Sequence, residues 1–571
     1  MYNKNTAKYI SILLLLLLST IIKATAGDTL AIASHFYHID HKKNIIIVNQ
    51  ETGVLNTRYN SIKSHILLDH LYEFNQPSRQ VYTDSSYQVL LTDSAYTLYF
   101  TQLPIIHINT THEVEDTPSV YAQFMMVEGS GLITQSNIGI ELRGALSQSF
   151  PKKSYELSFW NDTVGAVDRD VTLLNMREDN KWNLQALYNE PLRINSKVAN
   201  ELWLDIHELY YKAQEPTAKN GITMTYVELF VNEEYRGIYA LSERIDRKQL
   251  KLKKYNNGIK GELYKGYDWG GAVTFTSLPP FTNTSSIWGG FEYKHPEEEV
   301  NWTSLYNFVD FVKNSSNQNF YSSYQQKFNL NNAVDYYIFL NLLRAIDNTG
   351  KNIYIAKYKT GDPYYYVPWD LDGVFGNDWQ GYNMDITNDI LSNGFYDRLI
   401  QDCSPGGFRA KLIERWAELR VSIITEDNIF AKFRANSNYL LHNKAYEREH
   451  IAWNTYAIDT AQFTYINTWV KNRLNYLDVA FTQQCTLLSS TSAKQETRLR
   501  LYPNPTSDYL FIESDSLPFE LCIQDMQGKT VLKTSIKGNL NKVDLCLIAK
   551  GIYIITLKNS RSVETKRLQI N

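Results

Sequence analysis

The chain has 571 residues, 43% of them hydrophobic and 21% charged, with a formal net charge of −4, 41 tyrosines and 11 tryptophans. That length exceeds one ordinary core and predicts roughly three to four folding units, and so much apolar and aromatic surface excludes a disordered chain. The near-neutral balance, with lysines and arginines spread along the sequence, leaves no basic stripe for a polyanion and excludes nucleic acid as a partner.

Residues 1–26 combine Lys4 and Lys8, an apolar run from Ile10 to Ile22, and the small residues Ala24 and Ala26 ahead of Gly27. This is the layout of a signal peptide cleaved after Ala26. The run is short for a membrane span of about 20 residues, and no later segment reaches that length without charges, so no transmembrane helix is expected in the mature chain. Residues 27–102 are rich in Ile, Val, Tyr and Thr, with turn signals at Glu51-Thr52-Gly53 and Asn75-Gln76-Pro77; they predict a short β-rich N-terminal module. Leu103 to Thr110 reads as the first strand of a new sheet. Tyr226 to Tyr239 alternates apolar and polar positions about Asn232-Glu233-Glu234, a hairpin signal.

Farther along, apolar residues recur at helical spacing through VNWTSLYNFVDFV, AVDYYIFLNLLRAI and FRAKLIERWAELRVSII, so a β-rich lobe precedes a helical one. A polar stretch at 486–497 predicts a linker, and 498–571 runs as short strands divided by Asn504-Pro505, Gln527-Gly528 and Lys550-Gly551, a small β-sandwich. The cysteines Cys403, Cys485, Cys522 and Cys546 have no C-x-x-C or zinc spacing. One or two disulfides are expected, with Cys522 and Cys546, inside one small domain, the favoured pair.

The stretch most informative about chemistry is AIDNTGKNIYIAKYKTGDPYYYVPWDLDGVFG, from Ala345 to Gly376. A helix ends near Ala345-Ile346, Asp347 and Asn352 stand five apart, two strands follow around Thr360-Gly361-Asp362-Pro363, and Asp370 and Asp372 close the hairpin. Protein kinases share that layout, in which one carboxylate orients the acceptor hydroxyl while an amide oxygen and another carboxylate hold magnesium. Alone, Asp370 and Asp372 would equally suit a turn cap; a calcium loop is disfavoured by Val374 and Phe375, where oxygen ligands belong. A second constellation, IGIELRGALSQSFPKKSYELSF, sets Arg143, Gly144, Ser147, Gln148 and Ser149 in a turn between strands, followed by Lys152 and Lys153. Small residues and a lysine suit a phosphate-covering loop, and a polar hairpin with surface lysines is the rival account. Trp182, Trp302 and Trp369 suit either a cleft lining or, more commonly, buried core.

Five ordered blocks, IELRGALSQSFPKKSYEL, WNLQALYNEPLRINSKVANELW, YVELFVNEEYRGIYALSERID, KNIYIAKY and VPWDLDGVFG, resemble the signature blocks of the CotH (spore coat protein H) atypical kinase family across 103–485. The resemblance implies an α+β, two-lobed kinase-like domain that binds ATP with Mg2+ or Mn2+ and phosphorylates Ser/Thr of a secreted or surface protein. By position, it implies that Lys152 or Lys153 contacts phosphate and Asp347 serves the acceptor hydroxyl. Asn352, Asp370 and Asp372 hold the metal, with Arg143, Ser147 and Ser149 in the nucleotide loop. Glu243 pairs with the lysine or approaches the nucleotide, unless it forms a surface ion pair beside Arg244. The sequence departs from the family at Ile194, which interposes after Arg193, and at Asn189, where relatives usually carry Asp. Residues 498–571, with the Tyr-Pro-Asn-Pro opening and the Gly-Ile-Tyr block, resemble the type A sorting domain of Bacteroidota proteins exported by type IX secretion, which implies passage through that machinery to the cell surface or medium. A catalytically silent, kinase-shaped adhesin or glycan-binding protein is the alternative reading.

Overall fold

The computed structural model describes residues 28–483, 500–513, 519–525, 527–538, 540–558 and 563–571. The expected signal peptide (1–26) and linker (486–497) lie outside the described residues. The chain divides into two compact units, one ending at Cys485 and one beginning at Thr486.

The first unit opens with β1 (Thr29–Ala31), β2 (Tyr37–Asp40), β3 (Ile45–Val48), β4 (Lys63–Leu67), β5 (Leu71–Ser78), β6 (Ser86–Leu91) and β7 (Ser94–Phe100), one sheet in the order β1-β4-β5-β6-β7-β3-β2. Its strands are short and β-branched, and alternate residues such as Ile46, Val48, Tyr72 and Leu98 form its own core. The opposite face sends Ile45, Ile47 and Tyr99 against Phe230 and Tyr235 of the next element.

That element is a closed barrel of β8 (Ile105–Asn109), β9 (Val120–Val127), β10 (Ile133–Arg143), β11 (Ser154–Trp160), β14 (Lys181–Gln185), β15 (Met224–Val231) and β16 (Glu234–Ser242), with the small ribbon β12 (Val171–Thr172) and β13 (Glu178–Asp179) beside it. The β15–β16 hairpin turns at Asn232 and Glu233, whose φ values of 50° and 64° give the mirror-type turn that matches strand twist. One face of this hairpin, including Val227, Leu229, Tyr239 and Leu241, fills the barrel. The other, with Tyr226, Ile238 and Ala240, joins the helical core, which is why so much of the segment is apolar on both faces.

A five-stranded sheet follows, β18-β19-β17-β20-β21, built from β17 (Glu262–Gly266), β18 (Ile287–Trp288), β19 (Phe291–His295), β20 (Ile353–Lys357) and β21 (Tyr364–Pro368). The principal helices are α1 (Asn195–Ile206), α2 (Thr303–Asn314), α3 (Leu330–Leu343), α4 (Phe408–Arg420), α5 (Glu426–His442), α6 (Ala445–Ala452) and α7 (Ala461–Thr482). Helix α3 is buried along nearly its whole length, the behaviour of a helix apolar all round. Trp182 and Trp302 are core residues with no exposed surface. Among the described residues no helix is long and apolar enough to cross a membrane.

The second unit contains β22 (Arg500–Tyr502), β23 (Tyr509–Glu513), β24 (Phe519–Asp525), β25 (Thr530–Ile536), β26 (Leu540–Asp544), β27 (Gly551–Lys558) and β28 (Val563–Ile570), in sheets β22-β23-β26 and β25-β24-β27-β28. Leu510 and Ile512 from one sheet and Leu521, Ile523, Ile555 and Leu568 from the other share a core. The expected Cys522–Cys546 disulfide is not made, and both are free thiols. They belong to different sheets: Cys522 on β24 lies 3.6 Å from Thr530 Oγ1, and Cys546, just past β26, donates to the Asp508 carbonyl at 3.7 Å. Cys403 is disulfide-bonded.

A fully buried ion pair, Arg448 on α6 with Glu228 on β15, ties helices to barrel. The same guanidinium donates to Thr101 Oγ1 at 3.3 Å and to the Asn443 carbonyl at 2.6 Å, which brings in the end of the N-terminal sheet. Removing one member leaves the other charge buried and unpaired. Arg448→Met is therefore expected to lower unfolding stability by about 3–5 kcal/mol, measured as a shift of the urea midpoint. An unshifted midpoint would show that the pair is dispensable.

Candidate functional site

Helix α3 stops at Arg344, a left-handed C-cap at φ 53°, and a single 3-10 turn, Asp347–Thr349, follows. Asn348, like Thr349, is buried in that turn. Its side-chain amide donates to the carbonyls of Asn352 at 2.6 Å and Trp369 at 2.8 Å, and its own carbonyl accepts from Tyr336 Oη at 2.9 Å. The Trp369 amide donates to the Asn352 carbonyl at 3.1 Å. One side chain thus fixes both ends of the β20–β21 hairpin, the ends from which Asn352 and Asp370 project. Both project from left-handed backbone, at φ 53° and 55°, a conformation that Asn and Asp tolerate better than most residues and that collects at functional sites.

Asp372 comes next in the same loop. Asn189 Nδ2 donates to its Oδ2 at 2.7 Å and to the Trp379 carbonyl at 2.6 Å. Burial drives the Asp372 carboxyl well above the usual carboxylate range, and the charges of Asp370, Glu190 and Asp347 push the same way against the Asn189 hydrogen bond. Asp347 is also raised, by burial first and then by Asp370, with Lys351 opposing. Mutual repulsion of this kind marks carboxylates that share a small volume. An Asp at 189 would add a further anion; the amide found here supplies a donor instead.

Two cations approach the end of the hairpin that carries Asp370. Arg143, at the end of β10, lays its guanidinium over the Trp369 ring at 4.9 Å. Lys265, on β17, is pushed below the usual lysine range by burial, while Glu292 raises it, Lys294 and Arg143 lower it, and Asp370 raises it. Among the described residues neither side chain has an ion-pair partner. Around Lys265, GIKGELYK retains the glycine-led look of a family strand without marking the lysine itself; its position beside the β20–β21 hairpin follows from the β17–β20 pairing of Lys265 with Tyr354.

The two sequence lysines are placed differently. Lys152 is fully buried, donating to Glu449 Oε1 at 2.6 Å and to the Ile238 carbonyl at 2.5 Å, and burial lowers it to about 8 although Glu449 opposes the shift. Lys153 donates to the carbonyls of Gln148 at 2.6 Å and Phe150 at 2.7 Å, closing the turn Leu146–Ser149 that contains Ser147 and Ser149. Ser147 Oγ donates to the Arg143 carbonyl at 3.3 Å. Glu243 does not meet Lys152; its buried carboxylate takes Lys219 at 2.7 Å, the Thr223 amide at 2.8 Å and Gln249 Nε2 at 3.0 Å, while Arg244 pairs with Glu156.

The buried lysine–glutamate pair therefore runs to Glu449 on α6. Glu449 also accepts from Arg193 Nε at 3.0 Å and the Ile238 amide at 2.8 Å, and Arg193 Nη1 reaches the carbonyls of Leu187, Tyr188 and Glu190 at 2.9, 2.6 and 2.7 Å. This chain of bonds holds the 187–190 loop that presents Asn189 to Asp372. Among the described residues no group of three or more His, Cys, Asp or Glu side chains is arranged to hold a metal ion. The donors present, two carboxylates and an amide, suit a hard cation that keeps phosphate and water as its remaining ligands.

A family model described as CotH kinase protein matches residues 140–477, the span that holds every site residue above. A second, described as Secretion system C-terminal sorting domain, matches residues 500–571. No curated protein matches the chain.

Glu190 supplies a pH test of this acidic cluster. Burial raises its carboxyl from 4.5 to about 7, against hydrogen bonds from Ser196 and the charge of Arg193. The folded chain thus keeps a proton that the unfolded chain releases, so this contribution is whole below pH 4.5 and lost as pH rises through 7. Glu190→Gln is expected to remove that loss, gaining up to about 3 kcal/mol over wild type in alkaline buffer. Unfolding midpoints across the pH range decide it; parallel curves for the two proteins would refute the assignment.

Proposed function

We propose, since the chain belongs to the CotH kinase protein family, that it is an exported phosphotransferase moving the γ-phosphoryl group of ATP onto a serine or threonine hydroxyl of an extracytoplasmic protein. The observation that carries this reading is that Lys265, which feels the charge of Asp370, and Arg143, stacked on the adjoining Trp369, stand without ion-pair partners among the described residues, beside the mutually repelling carboxylates Asp347, Asp370 and Asp372. Stabilising a fold does not call for cations without ion-pair partners beside crowded carboxylates; binding a metal–polyphosphate does. The barrel carrying Arg143 and the sheet-and-helix half carrying Asp347 and Asp370 are read as the two lobes of an atypical kinase.

In this mechanism Asp370, Asp372 and the Asn352 side-chain oxygen hold Mg2+ or Mn2+. A cation held there would supply neutralisation of the phosphate charge. Arg143 and Lys265 take the remaining phosphate charge. Asp347, made more basic by burial and by Asp370, orients the acceptor hydroxyl and receives its proton as the new oxygen–phosphorus bond forms and the bond to the ADP oxygen breaks. Lys152, with Glu449 and Arg193, positions the loop that carries Asn189, and Lys153 shapes the turn holding Ser147 and Ser149. Catalysis is then mainly placement and charge neutralisation.

Calorimetry with ATP and Mg2+ or Mn2+ tests the site. Asp370→Asn is expected to abolish metal-dependent binding, Lys265→Ala to weaken it at least tenfold, and Asp347→Asn to keep binding while abolishing phosphate transfer. No binding of ATP with either metal would overturn the proposal and leave a catalytically silent surface protein. Export is tested separately. A chain truncated before Arg500 is expected to be retained inside the cell, while the full chain reaches the surface or medium; export of the truncated form would refute the role of the terminal domain.

A further inference from the structure

The outer wall of the barrel holds a cavity of about 470 Å³ whose lining is dominated by amide, hydroxyl and ring side chains and contains no carboxylate. Its floor is a single cross-strand row. Asn109 of β8 stands opposite Gln123 of β9, Gln123 opposite Asn137 of β10, and Asn137 opposite Trp160 of β11. Neighbouring strands lie about 4.8 Å apart, so three amides and an indole are set out at even intervals across four strands.

These groups are largely uncommitted. Asn109 and Gln123 are exposed, and Asn137 accepts from Tyr121 Oη at 3.0 Å through its oxygen, which leaves its two N–H donors free. The indole of Trp160 packs on Gly139 and Gly165, where an added Cβ would come within 2.1 Å and 2.8 Å of its ring, so both glycines make room for it. At the back of the cavity the buried Nε2 of His107 has no hydrogen-bond partner, a polar atom awaiting one. Arg169 spends one N–H on the Gln135 carbonyl at 2.6 Å.

We infer that this cavity is a binding site for a neutral polysaccharide, distinct from the carboxylate site and independent of nucleotide. Amide side chains donate and accept at once and so match adjacent sugar hydroxyls, and an indole covers the apolar face of a pyranose. A phosphorylated ligand would call for more cations than Arg169 alone, since burial lowers His107 and keeps it neutral, and a lipid would call for apolar walls. A row repeating across the strands fits a chain of repeating units better than a single small metabolite.

The test is affinity electrophoresis of the full chain in gels containing a soluble β-glucan, xylan, mannan or dextran, with albumin as the unretarded reference. Retardation is expected in at least one gel, weakened at least tenfold by the double variant Gln123→Ala and Asn137→Ala. It should be unchanged in Lys265→Ala, which reports on the nucleotide site alone. Absence of retardation in every gel, or retardation that survives the double variant, would overturn the inference. A urea midpoint equal to that of the wild type confirms that the double variant is folded whether or not the chain binds ATP, so failure here and failure of the kinase reading are separable.

Discussion

The buried carboxylate of Glu449 is the constraint on which the rest of the site depends. It neutralises Lys152 from the β10–β11 connection, takes Arg193 from the approach to α1, and caps the Ile238 amide of β16. A lone lysine or arginine at that depth would be costly, and a carboxylate with several charge-assisted bonds offsets the cost. Because Arg193 in turn grips three carbonyls between Leu187 and Glu190, the position of Asn189 against Asp372 is set from a helix that contributes nothing to the acidic cluster itself.

A second device works at shorter range. Asn348 holds both ends of the β20–β21 hairpin through one amide, so the left-handed backbones at Asn352 and Asp370 are dictated by a buried hydrogen bond rather than left to the loop. The result is electrostatic. Carboxylates that would spread apart in a free loop are kept close enough for burial and mutual repulsion to raise Asp347 and Asp372, a repulsion that the cation of the proposed mechanism would relieve.

What the sequence made legible was local. The β15–β16 hairpin, the Asp-x4-Asn loop, the two strands after it and the terminal sorting domain each carry their signal within a few dozen residues, in periodicity, turn chemistry or an ordered block. Pairings across long separations were not legible. Glu243 stands in a family-like block, and its carboxylate serves Lys219, whereas the partner of Lys152 stands 297 positions away on a helix with no motif. Lys265 was hidden for the same reason, since only sheet pairing brings β17 beside the hairpin. The cysteines show the limit of composition: Cys522 and Cys546 share a domain, but β24 and the end of β26 belong to different sheets.

The 297-residue gap between Lys152 and Glu449 also bears on how the protein comes into being. The strands that bracket Lys152 leave the ribosome long before α6 exists, and until it does the barrel contains a lysine with no counter-charge and an Ile238 amide with no acceptor. Contacts of such separation form late. The barrel's stability thus depends on a helix whose Glu449 lies 297 residues beyond Lys152, so a chain cut short before α6 would keep that lysine buried without its counter-charge.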